Sequence, residues 1–226
     1  MKPIVLAALL LVILARAPAS ADQAIDVSAG TQGFAADLVQ SVGPKTDLRL
    51  SYGDVSFDRT QSFSNLVIDV VANLAVSETY QVRSFGLYAD RALGKRFHAS
   101  GGLIYNLNRI DGTSVPTDSS VVIDGVTYSQ KNAGEIFTVV RWPALAPYLG
   151  IGFGPRLSEH RRVAFFGDAG AYYEGRARVA FSATGAIAAN YNNFQSYFDE
   201  GRRQLTAELA PVTVYPVVQI GVRFGL

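Results

Sequence analysis

Six residues of this chain, Asp37, Arg49, Asp90, Asp168, Gln219 and Arg223, bring charge or amide hydrogen bonding into segments that otherwise alternate apolar with small or polar residues. Alternation has the period of a β-strand, so the six share one side of a sheet. If that side is enclosed, charges of both signs must pair, because an unpaired buried charge is expensive. Two chemistries are open to such a set. A narrow interior would be filled by salt-bridged side chains, while a wider one would offer ions or small solutes a polar path. The filled interior is favoured, since a ring of about eight strands is just wide enough for side chains.

Acyl-transfer or hydrolytic chemistry would need a nucleophile beside an activating base. The two histidines are His98 and His160. His98-Ala99-Ser100 puts histidine and serine on one face of a strand, so a dyad is conceivable. Both histidines lie beside short turns, at the opposite end from the long connections, and a polar rim residue is the better reading. Gly150-Ile151-Gly152-Phe153-Gly154 lacks the following helix and the lysine of a phosphate-binding loop. Asp111, Asp118 and Asp124 fit no calcium-loop spacing. No catalytic residue, metal site or cofactor is therefore expected.

The elements that would position these groups are hairpins. Phe34 to Val42 turns at Gly43-Pro44-Lys45 into Leu48 to Gly53; Ser84 to Asp90 turns at Gly94-Lys95-Arg96 into Phe97 to Asn108. Tyr148 to Gly154 returns as Val163 to Tyr173, and Val214 to Leu226 ends the chain. Ile25 to Ala29 supplies an eighth segment, which makes the strand number even. Eight strands are expected, with ten as the alternative. Longer connections, 58–74, 110–144 and 181–212, are expected on the opposite side from the short turns. Asp124-Gly125 between Val121-Val122-Ile123 and Val126-Thr127-Tyr128 predicts a small hairpin. Tyr191, Phe194, Phe198, Leu205 and Leu209 recur at helical spacing and predict an amphipathic helix within 185–211. Its Arg202 and Arg203 are candidates for contact with lipopolysaccharide phosphates, and its aromatics for covering one mouth of the sheet. The apolar stretch 65–76 fits neither period.

Composition narrows the setting. Lys2, the 12-residue apolar run Ile4 to Ala15 and Ala19-Ser20-Ala21 read as a secretory signal cleaved after Ala21. The run is too short to span a membrane as a helix. Cleavage leaves one domain, residues 22–226, with 18 basic against 19 acidic residues, and so no basic excess to attract nucleic acid. The absence of cysteine excludes disulfides and Cys-based metal sites.

Alternation alone does not say which face points outward, since a soluble ligand-binding barrel has the same period with its apolar face inside. Three details favour lipid outside. The polar faces are crowded with glycine (Gly86, Gly102, Gly150, Gly152, Gly170, Gly221), they carry no lysine, and aromatics gather near strand ends as interfacial girdles do.

Gly30-Thr31-Gln32-Gly33-Phe34, Leu48-Arg49-Leu50-Ser51-Tyr52, Arg83-Ser84-Phe85-Gly86, Ser100-Gly101-Gly102-Leu103-Ile104-Tyr105-Asn106, Ala146-Pro147-Tyr148-Leu149-Gly150-Ile151-Gly152 and Tyr215-Pro216-Val217-Val218 follow in this order. With them the chain resembles a group of small proteobacterial outer-membrane β-barrel proteins, of OmpA/OmpX-type architecture, over nearly all of residues 22–226. The chain departs from the group in ending on Leu226 where phenylalanine is common, and in the 65–76 stretch. The resemblance implies an all-β, antiparallel up-and-down barrel in the outer membrane of a Gram-negative bacterium. Its implied partners are outer-membrane lipid, lipopolysaccharide and, during insertion, the barrel-assembly machinery; no protein partner is implied. The expected role is structural or surface-interacting and not enzymatic. A narrow channel for small or hydrophobic solutes and a lipid A-modifying enzyme are the alternatives.

Overall fold

The computed structural model describes residues 22–63, 70–71, 73–123, 125–155, 157, 162–189 and 191–226. The expected signal segment, Asp124, His160 and positions 65–69 and 72 of the apolar stretch lie outside the described residues. The strands are β1 (Gln23–Gly30), β2 (Gly33–Gly43), β3 (Thr46–Phe63), β4 (Val70–Val71), β5 (Leu74–Ala92), β6 (Phe97–Asn106), β7 (Arg109–Pro116), β8 (Ser120–Ile123) and β9 (Val126–Ser129). After the short helix α1 (Gln130–Ala133) come β10 (Ile136–Arg141), β11 (Leu145–Phe153), β12 (Val163–Tyr173) and β13 (Arg178–Ala183). Helices α2 (Gly185–Ala189) and α3 (Tyr191–Leu209) precede the last strand, β14 (Val214–Gly225). Among the described residues no helix is long and apolar enough to cross a membrane.

The fold is an antiparallel sheet of 11 strands beside a 3-stranded sheet of β4, β8 and β9. Followed from partner to partner, the large sheet runs β1, β2, β3, β5, β6, β11, β12, β14 and returns to β1. The return matters physically, since each strand on this circuit is paired with a neighbour on both sides over the circuit. The first two strands meet through Gly30-Thr31-Gln32-Gly33, where Gly33 has φ 80°, a left-handed conformation that other residues rarely adopt.

Three further strands, β7, β10 and β13, extend part of this wall. β5 is 19 residues long and changes partner along its length, pairing with β6 over Ser84–Ala92 and with β7 over Leu74–Gln81. Its register is unbroken across the change, from Ser84↔Asn106 to Gln81↔Arg109. The same holds from Leu145↔Tyr105 in β11–β6 to Arg141↔Arg109 in β10–β7. Ile110 and Val140 therefore stay on the side that Ile104, Asn106 and Ala146 take lower down. Between β12 and β13 the register slips by one residue, which brings Ala177 and Val179 to that same side.

The structure corrects the expectation that 58–74, 110–144 and 181–212 are loops. In the first, 58–63 are the paired end of β3, Val70–Val71 is β4 and Leu74 begins β5; the second carries β7 to β10, and the third holds the end of β13, α2 and α3. The extended end of β3 escaped sequence reading because it has no apolar stripe. From Ser56 to Thr60 both sides of β3 are exposed, so alternation disappears while the ladder continues. The hairpin expected around Asp124-Gly125 is β8–β9, paired from Ser120↔Ser129 to Ile123↔Val126.

Helix α3 spans most of 185–211, as its spacing predicts. Its Leu205 and Leu209 pack on Val140, Ala177 and Val179, and its Phe198 on Val121, Ala133, Ala186 and Ile187. The helix thus covers the inner side of the extended wall.

Candidate functional site: the charged interior

The two sides of the closed circuit are reversed relative to a water-soluble protein. Leu149 is 75% exposed, Ile220 72% and Phe165 78%, whereas Arg49 is 2% exposed and Asp26 0%. Asp37, Asp90, Asp168 and Gln219 are buried as well. Alternation places each of them: in β14, exposed Val218, Ile220 and Phe224 are interleaved with Gln219 and Arg223.

Arg49 is the hub. Its guanidinium lies 2.7 Å from Asp168, 3.0 Å from Asp90 and 3.6 Å from Asp37. Asp168 belongs to β12, which stands half-way round the circuit from β3, so the Arg49–Asp168 bond crosses the interior. The Arg49 guanidinium also sits over the Tyr88 ring, 4.8 Å from its centroid. Gln219 Nε2 donates to Asp168 at 3.1 Å. Arg223 stands apart from this hub and makes a two-point pair with Asp26, at 2.8 and 2.7 Å.

Toward the long-connection end, rings fill the space. Tyr88 and Tyr148 meet edge-on at 4.9 Å, and Tyr172 stacks on Tyr215 at 5.0 Å. The glycines of the polar faces make room for them. A Cβ on Gly86 would collide with the Tyr88 ring, and one on Gly150 or Gly170 with Tyr148. Above the rings, the buried carboxylate of Glu174 accepts from Asn106 at 3.2 Å and Asn108 at 3.3 Å. Asn108 also donates to Tyr172 at 2.8 Å. At the other end a recess of about 20 Å³, the space of one water molecule, is lined by Asp47, Asp90, His98 and Arg223 among others.

Of the six residues singled out by sequence, the structure gathers Asp37, Arg49, Asp90, Asp168 and Gln219, and gives Arg223 a separate partner. Sequence reading missed Asp26 and His98 as members of the set. Asp26 was visible on the polar side of Ile25 to Ala29, opposite Asp37 and beside Arg223 in register. His98 Nε2 lies 3.0 Å from Asp168 Oδ1, while Ser100 Oγ has no hydrogen-bond partner. The conceivable His98–Ser100 dyad is not formed, because the imidazole is turned to a carboxylate on β12. Arg202 pairs with Asp199, and Arg203 with Glu200 at 3.1 Å, all four on the exposed side of α3. Among the described residues no cluster of acidic or histidine side chains could hold a metal ion.

No protein-family model and no curated protein matches the chain. Its structure is similar to that of Acinetobacter baumannii CarO2, at 21% identity and a TM-score of 0.52, covering 91% of this chain and 98% of that one. Acinetobacter baumannii CarO aligns at 21% identity and a TM-score of 0.48, covering 89% and 96%. A major outer membrane protein from Thermus thermophilus aligns at 13% identity and 0.44, covering 92% and 100%. What this chain has in common with CarO2 is the fold.

Proposed function

We propose that this protein is an eight-stranded transmembrane β-barrel of the bacterial outer membrane, with a filled lumen and a structural or surface-interacting role. One observation carries the reading: the circuit of strands closes with its apolar side chains outside and its charges inside. Hydrocarbon requires that arrangement, since every backbone polar group must be met within the protein and every outward side chain must be apolar. A cleaved segment 1–21 would deliver residues 22–226 across the inner membrane, and the barrel-assembly machinery would insert them.

The bond from Arg49 across to Asp168 supports a plug over a pore. So do the tyrosines packed over lumen glycines and helix α3 laid on the inner side of the extension. The extension, with α3 and the β8–β9 hairpin, is the surface offered to partners outside the cell. Lipid and lipopolysaccharide surround the barrel in this reading. Arg202 and Arg203 reach lipopolysaccharide phosphates only by giving up their pairs within α3.

Purified protein refolded into planar bilayers tests the filled lumen. The expected result is a membrane without reproducible conductance steps. Regular steps of one size in the unmodified protein would replace the plug with a channel. Lipid A of unchanged mass in cells expressing the protein is expected alongside.

A further inference from the structure

The interior is short of positive charge at one place. Asp26, Asp37, Asp90 and Asp168 are buried there against Arg49 and Arg223. Arg223 makes its ion pair with Asp26 alone, through two hydrogen bonds. Arg49 gives its short contacts to Asp168 and Asp90 and comes no nearer than 3.6 Å to Asp37. Asp168 has Gln219 and His98 besides. Asp37 is left with neither carboxylate oxygen in a hydrogen bond, at 2% exposure. It stands directly opposite Asp26 on β1, a like-charge cross-strand pair that is destabilising by itself.

A second observation points the same way. Ser28 is 4% exposed and its hydroxyl oxygen also lacks a partner. It lies on the inward side of β1, two residues beyond Asp26, and buried Ser51 is opposite Asp37 on β3. Three neighbouring strands thus bring oxygen atoms to one part of the lumen wall, and two of the three residues have none of their acceptors met. Oxygen-only surroundings suit a hard cation, and a single carboxylate beside two neutral hydroxyls suits one of low charge.

We propose that the lumen wall at Asp37, Ser28 and Ser51 binds a monovalent alkali cation, which lowers the negative excess of the plug. The inference rests on the filled-lumen reading. Conductance steps would end that reading, whereas the test below can fail while the plug stands.

Protein refolded in an uncharged detergent is unfolded with urea in sodium, potassium or N-methyl-D-glucamine chloride, each at about 0.1 M so that screening is equal. The expected midpoint is higher in sodium or potassium than in the bulky organic cation, with a difference that saturates as the small cation replaces it. Asp37→Asn removes that difference and, in N-methyl-D-glucamine, is at least as stable as the unmodified protein. Ser28→Ala reduces the difference and provides the reading if Asp37→Asn does not refold. Equal midpoints for the unmodified protein in all three salts overturn the site. So does an Asp37→Asn protein that keeps the difference or loses stability equally in every salt.

Discussion

β3 passes through two surroundings, and its halves obey different rules. From Thr46 to Gly53 its outward residues Leu48, Leu50 and Tyr52 are apolar, and its inward Arg49 and Ser51 are buried among polar partners. From Val55 to Phe63 the same strand keeps its ladder with β5, yet Phe57, Asp58, Arg59 and Thr60 are all exposed. The ladder is common to both halves; the contrast across it is not. A strand writes its position into sequence only where its two sides meet different media.

The sharpest way to break the comparison is to remove one arginine from each half. Arg49→Ala leaves three buried carboxylates without their cation and is expected to cost about 3–5 kcal/mol, as broken buried pairs do. Arg59→Ala, ten residues along the same strand, is expected to change stability by less than about 0.5 kcal/mol. Urea unfolding of the two refolded variants gives the ratio directly. Comparable losses would mean that the lower half is no more enclosed than the upper.

The next effect tests the outer side. Leu149→Arg puts a charge on the exposed apolar face of β11 and is expected to destabilise the vesicle-inserted protein by about 2–4 kcal/mol if it sits at mid-bilayer. The same substitution at Thr60 is expected to be near neutral. A Leu149→Arg protein as stable as its parent in vesicles would remove lipid from that face.

These contrasts also explain what could be read in advance. The inward and outward sets of all eight circuit strands were legible, because each has an apolar side against a polar one. Helix α3 was legible through Phe198, Leu205 and Leu209, which the structure packs on two buried clusters. The extended halves of β3 and β5 were not, since water on both sides erases the alternation. Partner choice inside the lumen was equally hidden. Arg49 and Asp168 are 119 residues apart and meet only once the circuit closes, and no spacing in the chain records that meeting.

A smaller effect probes the extension. Leu205→Ala removes packing between α3 and the inner side of β10 and β13. It is expected to raise amide exchange in 191–209 while leaving exchange in β1, β2 and β14 unchanged, because local opening follows local contacts. Uniform change across both regions would show that helix α3 and the circuit of strands unfold as one unit.

The smallest is a pH effect at the start of β5. The backbone N–H of Asn73 donates to Asp118 at 2.8 Å and its side-chain amide at 3.0 Å, holding that carboxyl below the usual carboxylate range. A group whose folded pKa is depressed stabilises above its unfolded pKa and loses that contribution as pH falls through its folded one. The protection of the Asn73 amide, relative to its intrinsic exchange rate at each pH, should therefore fall below about pH 4. Asp118→Asn should remove the pH step, and a step that persists in that variant would assign it elsewhere.

The central claim is that hydrocarbon touches the outward side of the circuit. The chain has no cysteine, so single cysteines can be placed in turn from Val217 to Phe224, spin-labelled, and measured in lipid vesicles for collision with oxygen and with a water-soluble nickel chelate. The account predicts a period of two, with high oxygen and low nickel accessibility at Val218, Ile220, Val222 and Phe224 and low oxygen accessibility at Val217, Gln219, Gly221 and Arg223. Nickel chelate reaching Ile220 as freely as an exposed residue of the extension would contradict it.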